Sequence, residues 1–335
     1  MGKTLVEARS ISSKQRFFDS FKLDQDSFGR RLLCAKKMET KVQSPDNRDC
    51  LFCPNHESGW HYSDTGQGRP LVLLHGIGMS HFAWKMVVSS LSKERRVLAF
   101  DIAGFGSTPR LTNVQETPAN LVASLAKTLS KIDETRQISE DNNCVDIVGN
   151  SLGGYLALEA AKLGKLASFR VNSIVALSPA GLWKKRFPFR SDLALQVTRL
   201  AVRFLPRTTN ALLRREPTRK LFMAIPVSRG VPENDAIELV KIFDSAPVFT
   251  SNAALKEFRE SMKAPFKGGK TISKSIRVSI AFGKLDLLLP PSARLRHEIP
   301  EAENVSWREG QDLWGHVPMW DDPEGVARFI LQGTA

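Results

Sequence analysis

Residues 145–154 read Val145-Asp146-Ile147-Val148-Gly149-Asn150-Ser151-Leu152-Gly153-Gly154, and this stretch decides the fold. A short β-branched run ends in a glycine-flanked serine, and a helix-forming run, Tyr155 to Ala161, follows at once. The spacing predicts strand, tight turn and helix, with Ser151 at the apex. A serine hydroxyl is a weak nucleophile, so catalysis needs it on a sharp exposed turn within reach of a base. Gly149 and Gly153 let strand and helix pass close to that apex. The plain alternative is a structural serine in an ordinary strand-to-helix turn. The bare G-x-S-x-G pattern is common, and only its context raises it.

Partners for Ser151 lie on both sides of it in the chain. Leu71-Val72-Leu73-Leu74 is a continuous apolar run, as expected of a strand buried on both faces of a parallel sheet. It ends in His75-Gly76-Ile77-Gly78. In a serine hydrolase of this shape, a loop after an early strand and the residue after the nucleophile donate two backbone N–H groups to an oxyanion. Those residues would be Ile77 and Leu152. Val97 to Phe100 reads as the next strand, and Asp101 after it as a turn cap in a glycine-rich context. Downstream, Val278 to Phe282 reads as a strand ending in Gly283-Lys284-Leu285-Asp286. An acid just past a strand end sits on the carboxyl edge of the sheet, where sites of open α/β sheets lie. Asn304 to Trp307 is a short last strand, and the loop after it carries His316. Ser151, Asp286 and His316 are thus the candidate nucleophile, orienting acid and base. His297, in a stretch that reads as helical, is a surface residue by the same reasoning.

The order Ser151, Asp286, His316, with His75-Gly76 and Asp101 upstream, resembles the α/β-hydrolase superfamily over roughly residues 55 to 332. The resemblance implies a mostly parallel sheet flanked by helices and an acyl-enzyme chemistry. It does not fix a substrate. The Gly-Asn-Ser-Leu-Gly-Gly form is similar to that of carboxylesterases and of the meta-cleavage-product C–C hydrolases. Two readings stay open: hydrolysis of an ester or other activated carbonyl bond, and C–C hydrolysis of a vinylogous diketone. A third, a catalytically quiet binding protein, is disfavoured because every catalytic position is filled. No cofactor and no metal are expected.

The resemblance also implies a helical cap over the site, inserted at residues 183–265. The expected organisation is an N-terminal extension at 1–45, a first core part at 46–182, the cap, and a second core part at 266–335. Within the cap, helices are expected over Asp192–Leu205, Ala211–Met223, Asn234–Ser245 and Ser251–Lys263. Trp183 and Arg190 are candidate substrate contacts by position. Arg186 and Arg190 are candidates to hold a substrate carboxylate in the C–C reading.

The insertion carries 16 Lys and Arg against 8 Asp and Glu, a net of +8 out of +13 for the whole chain. Such basicity points to acidic partners: anionic lipid, a carboxylate substrate or nucleic acid. Nucleic acid is set aside because no recognised binding motif occurs. A solvated basic face with no partner is the plain reading. In the segment Leu193 to Leu205, Leu193, Val197, Leu200 and Phe204 fall on one helical face and Arg199, Arg203 and Arg207 on another. The expectation is a cap helix packing its apolar side on the pocket mouth. A helix lying in a membrane interface is the sharper alternative.

No run approaches the about 18 apolar residues of a membrane span, and the first 30 residues lack a secretory h-region. The positive charge of that stretch and Ser10, Ser12 and Ser13 allow an organelle transit peptide, while acidic residues Glu7, Asp19, Asp24 and Asp26 argue against one. With only four cysteines, a reducing, cytoplasmic setting is expected. Cys50 and Cys53 with His56 and His61 invite a zinc reading, but cysteines alternating with apolar residues read more simply as strand residues.

Overall fold

Strand β2 (Pro70–Leu74) shows how the sheet is built, because every one of its residues is buried. Leu71 and Leu73 join one apolar cluster, and Val72 and Leu74 another, on the opposite face. A strand covered on both sides has no use for polar alternation, which is why this run reads as uniformly apolar. The computed structural model of the chain describes residues 59–136, 143–184, 187–299 and 301–335. The N-terminal extension expected at 1–45, and Cys50, Cys53, His56 and Arg186, lie outside the described residues.

The described strands are β1 (Tyr62–Thr65), β2, β3 (Arg96–Phe100), β4 (Cys144–Asn150), β5 (Lys165–Leu166), β6 (Phe169–Leu177), β7 (Arg277–Gly283) and β8 (Val305–Gln311). They form one sheet in the order β1-β3-β2-β4-β6-β7-β8, with β5 hairpinned onto β6. All pairings are parallel except β1 with β3 and β5 with β6. The chain leaves β2 for β3 on one side and returns to β4 on the other, so the strand order reverses between β2 and β4. Ligand sites of open α/β sheets form at the carboxyl ends of such a switch point.

Helices α1 (Lys85–Leu91), α2 (Pro118–Arg136) and α3 (Leu152–Leu163) follow the first strands, and a last helix, Pro323–Gly333, closes the described fold. Helices α2 and α3 pack through Leu121, Leu125, Leu156 and Ala160 on one face. Helix α1 and the last helix cover the other through Val87, Leu91, Val326 and Ile330. At the opposite, amino edge of the sheet, Asp146 is fully buried in β4. Its carboxylate accepts from Asn172 Nδ2 at 2.8 Å and Ser173 Oγ at 2.5 Å, and pairs with Arg69 and Arg95. Arg95 also donates to the hydroxyl and carbonyl of Thr334, tying the end of the chain to the sheet. A buried charge is tolerable only when it is paired and hydrogen-bonded like this.

Between β6 and β7 lies a helical layer: α4 (Phe189–Phe204), α5 (Pro206–Arg214), α6 (Glu216–Met223), α7 (Glu233–Ser245) and α8 (Asn252–Met262). The last helix, Pro323–Gly333, is then α9. The single helix expected over 211–223 is two. Arg215 is extended, at φ −102° and ψ 121°, and Pro217 follows in the first turn of α6. Proline has no N–H to continue an upstream helix and crowds the carbonyl behind it, so the chain breaks there. The stretch around His297 is likewise not an α-helix: it forms short 3₁₀ turns at Pro291–Ala293 and Arg296–Glu298, and His297 is exposed. Among the described residues no helix is long and apolar enough to cross a membrane.

Candidate active site

Ser151 sits between the last residue of β4 and the first of α3 with φ +54° and ψ −111°. A side-chain-bearing residue rarely takes a positive φ, and such strain persists only where surrounding structure enforces it. The enforcement is visible. A Cβ on Gly149 would stand 2.0 Å from the Gly153 carbonyl oxygen, and one on Gly153 would stand 2.0 Å from the Leu74 oxygen. Helix, turn and strand β2 therefore approach at backbone contact, which only glycine permits. The Ser151 amide donates to Leu177 O and the Gly153 amide to His75 O, both at 3.0 Å. These bonds clamp the apex between the neighbouring strand ends.

His316 and Asp286 reach the same edge from the loops after β8 and β7. His316 Nδ1 lies 3.1 Å from Asp286 Oδ2, and both side chains are buried. Asp286 Oδ1 accepts from the Leu288 and Leu289 amides, each at 3.0 Å. Burial is the largest single influence on the Asp286 carboxyl and pushes it up. The neighbouring His316, the Leu289 amide and Arg294 outweigh burial and hold the carboxyl below its usual range. An ionised acid on Nδ1 keeps a proton there and leaves Nε2 with its lone pair.

Ser151 and His316 line one open cleft of about 950 Å³, mouth included, between the sheet edge and the helical layer. Among the described residues the Ser151 hydroxyl has no hydrogen-bond partner, and Ser151 lines this space. Most of the wall is apolar, including Met79, Leu195, Val202, Phe222, Leu239 and Phe243. No Lys, Arg, Asp or Glu appears among its described lining residues. Trp183 and Arg190 do not line it. Trp183 is buried, donates to Lys263 O at 3.3 Å and packs edge-on against Phe187, whereas Arg190 is exposed.

Ile77 and Leu152 bring free backbone donors to the edge. Leu152 opens α3, where the first amides have no intrahelical acceptor. Among the described residues neither Ile77 N nor Leu152 N donates a hydrogen bond. The Gly76 backbone passes close to Ser151: a Cβ there would meet Ser151 Cβ at 3.3 Å.

Three residues with supporting roles were not singled out as site residues by their sequence pattern. His75 accepts from the Ile102 amide at Nε2, 2.9 Å, and donates from Nδ1 to Gly76 O at 2.7 Å. Met79 N reaches the same carbonyl at 3.3 Å. The peptide unit is planar and trans, so fixing the Gly76 carbonyl fixes the direction of the Ile77 N–H. Burial pushes the His75 ring down to about 4, and only the neutral ring can serve both partners. Asn150 donates to Leu177 O at 3.1 Å and to His316 O at 2.8 Å, tethering the histidine loop to the serine strand. Arg294 donates to the carbonyls of Gly283, Asp286 and Leu289, bracing the acid loop. The signal for Asn150 was its place beside the serine; nothing local marks Arg294.

Asp101 acts as the turn cap expected. It accepts from the amides of His81 at 2.7 Å and Ser107 at 2.8 Å, and from the rings of His61 and His81. His61, His81 and Asp101 are the one group among the described residues whose side chains come close enough to share a metal ion, with ligand atoms within 4.8 Å. The hydrogen bonds already account for the cluster, and none of the three lines the cleft.

The model of the alpha/beta hydrolase family matches residues 71–329. The 2-hydroxy-6-oxo-2,4-heptadienoate hydrolase of Pseudomonas putida is 41% identical over 101 residues, 29% of this chain and 34% of that enzyme. The match thus spans about a third of that relative's length. An uncharacterised protein of Mycobacterium tuberculosis is 29% identical over 282 residues, covering 79% of this chain and 74% of its own. Among solved structures, a meta-cleavage product hydrolase from Pseudomonas fluorescens superposes with a TM-score of 0.57 at 21% identity, over 82% of this chain and 93% of that one.

Proposed function

This chain belongs to the alpha/beta hydrolase family, and within it we propose a serine hydrolase that cleaves an ester, or another activated carbonyl bond, of an apolar acyl group. The observation that carries this reading is the cleft itself. Ser151 and His316 share it, and its described wall offers apolar surface and no fixed charge.

In this reading Ser151 Oγ attacks the carbonyl carbon while its proton passes to His316 Nε2. The carbonyl oxygen takes up the negative charge facing the Ile77 and Leu152 amides, which act as the oxyanion hole. Asp286 holds the His316 tautomer and stabilises the imidazolium. Collapse breaks the bond to the leaving group, which takes the proton from His316 and departs. Water then attacks the acyl-serine, His316 accepting its proton, and the second collapse frees the acid and returns the proton to Ser151. The helical layer between β6 and β7 is the cap that supplies the acyl wall.

The C–C hydrolase reading is favoured by the Pseudomonas putida match and the Gly149-Asn150-Ser151-Leu152-Gly153-Gly154 form. It needs an Arg or a polar pair in the helical layer for the substrate carboxylate. Arg190 points elsewhere, and Arg186 lies outside the described residues. Two assays separate the readings. A fluorophosphonate probe should label the pure protein at Ser151, and absence of labelling would return the chain to a binding role. A panel of p-nitrophenyl esters of rising acyl length, run beside a ring-cleavage dienoate, should show turnover of the esters. Turnover of the dienoate alone would favour C–C cleavage.

A further inference from the structure

We infer that the outer face of α4 is a docking surface for an anionic membrane. This helix has two apolar faces with different surroundings. Ser191, Ala194, Leu195, Thr198 and Val202 line the cleft. Phe189, Leu193, Val197, Leu200 and Phe204 do not: they stand in solvent at 76%, 47%, 55%, 52% and 68% exposure. At 3.6 residues per turn these five share an arc of about 80°, and the cleft-lining set lies across the helix from them. The apolar stripe legible in the sequence is therefore not the side that packs on the pocket mouth. The expectation that it would is corrected. The inner face is satisfied by smaller and more polar residues, which leaves the bulkier ones exposed among the described residues.

A row of five large apolar side chains along one helix is more than scattered surface hydrophobicity. Arginines stand on both borders, and the one acid on the Arg203 side, Asp192, is paired with Arg259. Arg190 lies at one edge of the arc and Arg203 at the other, both exposed, with Arg207 just beyond the helix end. Arg199 is not part of this set: it donates to Asn252 Oδ1 at 3.0 Å, back toward the protein. Apolar residues on one side and arginines along its rim are what an interfacial helix presents to acyl chains and phosphate groups. Across the cleft, exposed Leu221 and Ile225 flank the lining residues Phe222, Met223 and Pro226.

Charge chooses among the occupants. A second copy meeting this face by two-fold symmetry would bring two regions of +8 together. Residues 1–58 carry 11 Lys and Arg against 8 Asp and Glu, so that segment is basic as well. An anionic lipid surface is complementary to both the apolar stripe and its rim. Docking of this kind would set the cleft, whose wall is the inner face of the same helix, beside the lipid. It does not depend on the chemistry at Ser151.

The test uses the full chain carrying Ser151→Ala, so that lipid turnover cannot alter the vesicles. Sedimentation with phosphatidylcholine vesicles, with and without phosphatidylserine, should show binding only where phosphatidylserine is present. Raising salt should weaken it, since the attraction to anionic lipid is screened. Adding Val197→Asn and Leu200→Asn, or separately Arg203→Gln and Arg207→Gln, should each weaken partitioning about tenfold or more. With Ser151 intact, the same substitutions should leave melting and hydrolysis of a short soluble ester unchanged. Equal binding to neutral vesicles would overturn the charged surface as the partner. Absence of binding to either would overturn docking altogether. A dimer in solution that the Asn variants dissociate would instead assign the stripe to a second copy. A failed fluorophosphonate reaction with intact vesicle binding would remove the hydrolase reading and leave the docking surface standing.

Discussion

Strand β2 hides Leu71, Val72, Leu73 and Leu74 completely, whereas helix α4 holds Phe189, Leu193, Val197, Leu200 and Phe204 out in solvent. Both sets of side chains are apolar. The difference lies in what each has to cover. A central strand is flanked by helices on both faces, so any apolar side chain it carries is buried whichever way it points. A helix in a single layer has one face toward the protein and one away from it, and apolar residues can occupy either. The sheet region thus couples its side chains to stability and to the positions of Ser151, His75 and His316. The helical layer is freer to couple them to whatever lies outside.

The contrast is broken first at the nucleophile, where the largest effect is expected. Ser151→Ala should lower turnover by about 10⁵-fold or more, as loss of a serine nucleophile does elsewhere. Its melting midpoint should stay close to that of the unaltered chain. A variant retaining more than about a hundredth of the activity would show that the strained turn serves structure and not chemistry.

Asp286→Asn should follow at about 10³- to 10⁴-fold, because the amide would favour the wrong His316 tautomer while preserving shape. A loss below tenfold, measured as kcat on a soluble ester, would detach the acid from the site.

Next comes a pH effect confined to the sheet region. His75 folds with its ring held down at about 4, below the ordinary 6.5. Between those values the unfolded chain binds a proton that the folded chain does not, so stability rises with pH there. The contribution is fully present above about 6.5 and lost as pH falls toward 4, roughly 3 kcal/mol in all. Urea unfolding at pH 7 and pH 4.5 should show the fall, and His75→Gln should flatten it. An unchanged slope in that variant would mean that the ring titrates elsewhere.

The smallest expected effect belongs to the helical layer. Leu200→Ser should change unfolding free energy by no more than about 0.5 kcal/mol, because an exposed side chain gives up little on replacement. A loss of several kcal/mol would show that the stripe is covered in the protein, as the residues of β2 are.

Much of the candidate site is legible in the sequence for a physical reason. Gly149, Ser151 and Gly153 form a local pattern whose meaning depends on residues within one turn of each other. Asp286 and His316 were legible because a strand end dictates where its following loop emerges. Asn150 and Arg294 were not, because their roles are hydrogen bonds to loops 166 and up to 11 residues away in sequence. Trp183 and Arg190 were chosen by position alone, and position along a chain does not say which way a side chain turns. The split between α5 and α6 is marked in the sequence by Pro217 and by the stretch Arg214 to Lys220, which carries no residue with an apolar face to continue one helix.

The sequence by itself determined the apolar parallel strands β2, β3, β4 and β7 and the identity of the strained serine. Those follow from short-range sterics and from apolar runs with only one place to go. Only the tertiary structure decided which face of α4 meets the cleft, that its wall is apolar and without fixed charge where described, and that the acid, histidine and serine loops are laced together. An amphipathic pattern fixes that a helix has two sides. Which side is buried depends on the shape and chemistry of the surface it lands on, and that surface is assembled from residues far away in the chain.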